Sequence, residues 1–483
     1  MASENIDDFE RCEPHQAGLD ETALAAMIAV LRARGVDFHS LLVARGNTLV
    51  VENYWWPYRP ELRQIMHSVA KSFLSAAIGL ALAEGRFKLT DTVISFFPDS
   101  LPAAVSGNLA AMTVEDLLTM RAGHESEISG SVWRRIRTSW IAEFFKEPVV
   151  HRPGSNYVYS SAASYILSAI LTKVTGQTLH DYLRPRLFEP LGINGEDWDV
   201  SIDGINPGGN GFTCKPMDLL KFGILYAQKG MWRGRRILPA DWVSRSTRRH
   251  TPGEDGFGYG YQWHTGSQGQ FFAAGLFGQV IAVLPDQELV IVITSATPGY
   301  NACTGEILPL LQKYLPGIAA GRRADSGLAD MLEASRSPRH LVSSAYPDLA
   351  GERQYHFCDI PLGIKRITVR LSRDRAELAL EDEDGSHLVS AGIGRWLEGS
   401  ASLRGEDLHH GYRLHGARIM AGARWLDRDT LEMTWFFLES VFVDTIVLRL
   451  ADEKITLERS VNANSGARAW PTLAGTRDMG IGA

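Results

Sequence analysis

The sequence is poor in the features that mark several common protein classes. It has four cysteines, Cys12, Cys214, Cys303 and Cys358, far apart and with no CxxC pair, so neither a disulfide framework nor a zinc site is indicated. Its fourteen histidines show no HExxH or closely paired spacing, so no metal and no cofactor are expected. There is no run of Lys and Arg, and the net charge of −7 is modest for 483 residues, which gives no nucleic-acid surface. The start, MASENIDDFERCEP, is acidic and polar and lacks the basic segment and apolar stretch of a secretory signal, so a reducing, cytoplasmic compartment is expected. The apolar stretch at Ile78–Ala83 lies between Lys71 and Glu84–Arg86, too short a run to cross a bilayer, and no membrane association is expected. Internal repeats and low-complexity tracts are also missing, and no motif specifies an oligomeric state.

What is present is a globular composition, 45% hydrophobic and 22% charged, in a chain too long for one ordinary core. Periodicity predicts a helix over about 20–34, ending at Gly35, and then a hairpin of Ser40–Ala44 and Thr48–Tyr54 turning at Arg45-Gly46-Asn47. The segment HSVAKSFLSAAIGLALAEG, His67 to Gly85, is apolar nearly all round and predicts a buried helix. A second apolar helix is expected over 162–174, with surface helices over 215–228 and 240–244. Tyr259–His264, Gln270–Ala274, Gln279–Leu284 and Leu289–Thr294 read as an antiparallel meander. These are signs of an α+β fold, an antiparallel sheet flanked by helices together with a helical region. The stretch 316–343 has few large apolar residues and reads as a linker with room for a short helix. Beyond it, alternating runs at 367–371, 376–380, 431–437, 442–450 and 454–460 suggest a small antiparallel barrel or sandwich. The expected division is therefore 1–315, a linker 316–343, and 344–483.

Ser68-Val69-Ala70-Lys71 is an SxxK at the mouth of the buried helix. An i, i+3 spacing puts both side chains on one helical face. A serine hydroxyl needs a base, and a lysine can serve where burial lowers its pKa. The helix N-terminus would also offer the Ser68 N–H to a developing oxyanion. The tetrapeptide alone also fits an N-capping serine beside a surface lysine. Against that reading, no other lysine here follows a serine by three positions, and this one opens the most apolar helix in the chain.

Two further segments complete an ordered set: PGSNYVYSSAASYILSAILTKVTG, Pro153 to Gly176, and FFAAGLFGQVIAVLP, Phe271 to Pro285. SxxK, a Tyr-x-Asn-like triplet opening a helix, and a small-x-Gly triplet on a strand together resemble the class C β-lactamase-like serine hydrolases. GLFGQ is most similar to the esterase and nylon-oligomer (aminohexanoate-oligomer) hydrolase branch, and the resemblance covers about residues 15–315. It implies a β-lactamase/transpeptidase-like fold and an acyl-enzyme mechanism in which Ser68 attacks, Lys71 accepts or relays its proton, and Tyr159 shares acid and base duty. The implied oxyanion hole is the backbone N–H of Ser68 and of Leu276, with Ser161, Ala273, Ala274 and Gly275 beside the substrate.

The sequence departs from the family pattern twice. Tyr159-Ser160-Ser161 carries a hydroxyl where the family has an amide, a place Ser161 or a water would fill. Ala273 stands where penicillin-recognising members have Lys or His, which disfavours substrates bearing a carboxylate, unless a cation such as Arg121 or Arg152 replaces it. Phe271, Phe272, Leu276 and Phe277 would offer an apolar wall, and Trp55, Trp56, Trp133 and Trp263 an acyl pocket or ordinary core. The expected function is cleavage of small or medium carboxylic esters or amides. A D-amino-acid peptidase or β-lactamase-like amidase, and a non-catalytic penicillin-binding-like receptor, are the alternatives.

Overall fold

A computed structural model describes residues 9–128, 134–299, 302–321, 324–344, 349–357, 363–383, 385–401, 407–414, 416–451 and 453–478. The chain separates into two compact units. The first takes residues 1–55, 60–297 and 301–335, and the second takes 56–59, 298–300 and 336–483.

The first unit is built on strands whose residues alternate between two buried faces. Helix α1, Glu21–Ala33, starts where Asp20 accepts a hydrogen bond from the Ala23 amide at 2.9 Å, an ordinary N-cap. Strands β1, Asp37–Arg45, and β2, Thr48–Tyr54, form the expected hairpin. After them come helices α2, Ala70–Ala83, α3, Ser161–Thr175, and α4, Pro216–Ala227. Strands β3, Phe271–Gly275, β4, Gln279–Leu284, and β5, Leu289–Ala296, follow, and helix α5 runs over Leu308–Ala320. The nine-stranded sheet has the order Glu10–Arg11, β2, β1, β5, β4, β3, His264–Thr265, Gly258–Tyr259, Thr251–Pro252. Its pairings are antiparallel except that of Glu10–Arg11 with β2. Leu42, Ile281, Val283, Val290 and Val292 point to the face covered by α2, α3 and α4. Leu41, Val43, Val280, Ala282, Ile291 and Ile293 point to the face covered by α1 and α5. A sheet buried on both sides has few polar positions, which is why these strands read as nearly continuous apolar runs.

One expected strand differs in the structure. Tyr259–His264 is not one strand but two short ones, Gly258–Tyr259 and His264–Thr265, because Gln262 at φ 64° turns the chain between them. The stretch 316–343 does hold a short helix. Helix α5 runs through Pro316, and a further helix, Ser326–Ala334, sets Leu328, Met331 and Leu332 on the α1–α5 core. An i, i+3, i+4 apolar stripe in so polar a segment suffices to dock it.

Among its described residues the second unit carries ten strands: β6 Gly351–His356, β7 Arg366–Leu371, β8 Arg375–Asp382, β9 Gly385–Ile393, β10 Trp396–Ala401, β11 Ala417–Trp425, β12 Thr430–Phe437, β13 Val443–Leu450, β14 Lys454–Val461 and β15 Leu473–Arg477. Nine of them close a barrel in the order β9-β8-β7-β6-β15-β14-β13-β12-β11, sealed by the parallel pairing of Gly392 with Gly422 and Ile393 with Ala423, and β10 pairs along β11. Of the barrel and sandwich alternatives, the barrel is the one present. Inside it Asp444 is fully buried, with His409 Nε2 at 2.8 Å from one carboxylate oxygen and Arg459 Nε at 2.7 Å from the other.

Candidate active site

Ser68 lies in a short 3-10 turn, His67–Val69, that leads into α2, so it precedes the helix proper by one turn. The turn is shaped by His67, a non-glycine residue at φ 47°, whose ring packs edge-on against Phe277 at 5.3 Å. Phe277 is itself at φ 63°. Paired left-handed non-glycine residues store strain that the surrounding packing must hold, a common property of functional sites. The Ser68 side chain caps nothing. Lys71 Nζ donates to Ser68 Oγ at 2.9 Å, as the i, i+3 spacing predicts.

Lys71 projects from a helix buried over almost its whole surface and is itself only 2% exposed. Its ammonium has three hydrogen-bond partners: Ser68 Oγ, Ser161 Oγ at 3.2 Å and the Gly209 carbonyl at 2.9 Å. None of these is a counter-ion. Burial therefore pulls the lysine pKa down to about 7, against a weaker opposing pull from Glu127, because desolvation disfavours the charged form. Nζ also sits 4.8 Å from the centre of the Tyr159 ring.

Tyr159 is half-buried just before α3, and Ser160 caps that helix by accepting from the Ala163 amide at 3.2 Å. Ser161, the residue that departs from the Tyr-x-Asn pattern, reaches Lys71 with its hydroxyl. The third acceptor, Gly209, belongs to the loop Pro207-Gly208-Gly209-Asn210-Gly211, which the sequence pattern did not single out. A Cβ on Gly209 would lie 3.2 Å from Lys71 Nζ and 3.1 Å from the Ser161 carbonyl, and one on Gly208 would lie 2.7 Å from Leu74. Three glycines in five residues were the available signal for such a close backbone approach.

Strand β3 brings the third segment alongside. A Cβ on Gly275 would stand 2.4 Å from the Met66 carbonyl oxygen, so only glycine lets this strand end run against the chain leading into Ser68. Leu276 opens the tight turn that follows, in which the Gly278 amide bonds the Gly275 carbonyl at 3.2 Å. Ala273 and Ala274 are both buried, on opposite faces of the strand. The apolar wall expected from this segment is mostly core. Phe271 packs on Trp263, Phe272 on Phe257 and Phe277 on His67, and of the four only Leu276 keeps a partly exposed side chain. Arg121 is tied to Thr119 Oγ1 and the Gly154 carbonyl at 3.0 Å each.

The profile of the Beta-lactamase family matches residues 24–312, more than half of the chain and all three segments of the site. The chain belongs to the Beta-lactamase family. A curated relative, the 6-aminohexanoate-dimer hydrolase of Paenarthrobacter ureafaciens, is 24% identical over 285 residues, 54% of this chain and 72% of its own. Other curated relatives are spanned to about half of their length, 51% in one case. Among solved structures, the octameric penicillin-binding protein homologue of Pyrococcus abyssi superposes with a TM-score of 0.50 at 17% identity, covering 94% of this chain and 99% of that one. The hydrolase EstCE1, described as having promiscuous acyltransferase activity, gives 0.50 at 16% identity over 61% of this chain and 99% of its own. At such identities these structures speak to the fold alone.

Within this β-lactamase-family chain the remaining candidates sort into core. Trp55 stacks on Phe38 and Trp263 packs among Phe222, Tyr226 and Phe271. Trp56 belongs to the second unit, where it meets Trp396 and Phe436. Trp133 and Cys358 lie outside the described residues, and Cys12, Cys214 and Cys303 are unpaired thiols. His124 is buried against Phe144, with its pKa lowered to about 4 by burial, and Glu125 pairs instead with His151 at 2.8 Å. Among the described residues no three His, Cys, Asp or Glu side chains converge, and no helix is long and apolar enough to cross a membrane.

Proposed function

We propose that this β-lactamase-family chain is a serine hydrolase that cleaves small or medium carboxylic esters or amides through an acyl-enzyme on Ser68. One observation carries the reading: a lysine with no counter-ion in its immediate shell, almost fully buried, holds its Nζ 2.9 Å from a serine Oγ. A lysine pulled down to about 7 is substantially neutral at neutral pH and can accept the Ser68 proton as Oγ attacks the substrate carbonyl carbon. The oxyanion that forms would be received by the Ser68 and Leu276 amides. Tyr159, beside Lys71, would hand the proton on to the departing alcohol or amine. Water then attacks the acyl-enzyme by the reverse route, regenerating the Ser68 hydroxyl and releasing the acid.

The substrate class follows from Ala273. A lysine or histidine there would give a carboxylate a charge-assisted hydrogen bond of about 1.5–3 kcal/mol, or roughly one to two orders of magnitude in binding. With a single methyl group in its place, uncharged acyl chains are favoured over β-lactams. The Paenarthrobacter relative, named as a 6-aminohexanoate-dimer hydrolase, supports a hydrolytic reading of this kind.

The test has two arms. A fluorophosphonate probe should label wild-type protein at Ser68 and leave Ser68→Ala unlabelled, with an unchanged circular dichroism spectrum and no turnover. A short p-nitrophenyl ester should then give a higher kcat/KM than nitrocefin. A labelled or active Ser68→Ala protein overturns the nucleophile, and a preference for nitrocefin overturns the substrate class.

A further inference from the structure

Residues 258–265 make a tight hairpin beside the site, and Gln262 at its tip fixes it to both helices that carry the catalytic candidates. The Gln262 carbonyl accepts from Ser72 Oγ on α2 at 2.9 Å, its Oε1 accepts from Ser164 Oγ on α3 at 2.7 Å, and its Nε2 donates to the Leu118 carbonyl at 3.0 Å. These bonds are buried, so the hairpin cannot shift without leaving polar groups unpaired. Of its four rings, Tyr259 and His264 lie beside Tyr159. The Tyr259 ring stands edge-on to Tyr159 at 6.2 Å and edge-on to His264 at 5.1 Å. The His264 ring lies nearly parallel to Tyr159, 21° apart at 6.4 Å. Lys71 Nζ also lies near the Tyr159 ring.

We infer that His264 is a positioning residue, a flat and uncharged wall that fixes the orientation of Tyr159 relative to Lys71 and Ser68. The inference rests on the proposed acyl-enzyme reading. His264 is 5% exposed, and its Nδ1 is buried with no hydrogen-bond partner among the described residues. The groups acting on it are Lys71, Tyr159, Tyr259 and, from further along the hairpin, Asp255. Burial first, and then the charge of Lys71, hold its pKa near 4, with Asp255 opposing. At the pH where Lys71 changes charge the imidazole is therefore neutral, so its contribution is shape and not charge. That distinguishes it from a base: a ring of similar size without nitrogen should do the same work, and a side chain without a ring should not.

The experiment compares His264→Phe, His264→Leu and His264→Ala in the full chain, with a p-nitrophenyl ester as substrate. An ångström of displacement at a reacting group costs up to about a hundredfold in rate. His264→Ala and His264→Leu should therefore lose about tenfold or more in kcat with KM nearly unchanged. His264→Phe should restore kcat to near wild type, with the acid limb of the pH profile in its original place. A variant that merely loosened the fold would lower the melting temperature without this split, and Phe would not rescue it selectively over Leu, which fills comparable space. Wild-type kcat in a folded His264→Leu variant, or a His264→Phe variant as slow as the alanine one, overturns the inference. Failure of the fluorophosphonate probe to label wild-type Ser68 would instead remove the reading beneath it, so the two failures are distinguishable.

Discussion

Lys71 shows how much chemistry one burial decision can decide. The same side chain in water would hold its proton far above neutral pH. Here three neutral acceptors keep it in place while the surrounding core pulls its pKa to about 7. The sign of the pH effect follows. Below that value the ammonium has no lone pair to take the Ser68 proton, and above it the free amine does. We expect kcat/KM for an uncharged ester to fall about tenfold per pH unit below roughly 7 and to level off above it, as measured on one substrate at constant ionic strength. A flat profile between pH 5 and 8 would mean that Lys71 is not the group that titrates. At this scale the sequence was most informative about Ser68 and Lys71, because their contact is local and set by helix geometry. Gly209 is 138 positions from Lys71 and meets it through a carbonyl that every residue possesses. Nothing at the level of residue type announces such a partner. His264 escaped notice for a related reason: a buried histidine on a short strand looks the same in sequence whether it backs a tyrosine or fills a core.

At the level of elements, the site is an arrangement of backbones brought unusually close. Strand β3 can run past the Ser68 turn because Gly275 has no side chain, and the hypothetical Cβ contact of 2.4 Å would be with backbone oxygen, which cannot swing aside. Gly275→Ala should therefore push β3 away from the turn, lowering fluorophosphonate labelling of Ser68 about a hundredfold while costing only about 1–3 kcal/mol in stability. Gly317→Ala, where an added Cβ meets nothing within 4 Å, is the control. Near-normal labelling of Gly275→Ala would show that the strand tolerates the displacement. Elements were legible wherever burial imposed a period. The apolar runs of β4 and β5 and the capped helices α1 and α3 lie within a residue or two of where periodicity set them. The chain was misread where a few residues overrode a weak pattern, as Gln262 does by breaking one expected strand into two. Leu328, Met331 and Leu332 dock the short helix of an otherwise polar stretch. Five of the ten strands described in the second unit lie outside the runs read from the sequence, among them β9, β10 and β11, which carry Gly, Ser and Ala at positions where strand-forming residues would have marked them.

For the whole molecule, the question is whether 336–483 folds on its own. Among the described residues its strands pair with one another, and the ring they form leaves little open edge, which is how a small β domain avoids exposing unpaired backbone. Within it, Arg459 lies against Asp444 and the Trp470 ring, and Asp444 and His409 are similarly inaccessible. The Asp444 carboxyl is held below its usual range: burial alone would raise it, but Arg459 and His409 outweigh burial. Removing one partner of such a group strands a buried charge, at a cost of about 3–5 kcal/mol. Asp444→Ala should therefore destabilise the barrel sharply. If the barrel is a separate cooperative unit, scanning calorimetry should show two transitions, one of them lowered by roughly 10 °C or more in the variant. Ser68 should keep reacting with the fluorophosphonate probe up to the unshifted transition, and proteolysis of the variant should enter after Ser335, where the first compact unit ends. If calorimetry gives one transition and probe reactivity falls with it, the barrel and the hydrolase fold are a single cooperative structure. The proposed acyl-enzyme chemistry would then depend on a charge cluster that belongs to the second unit.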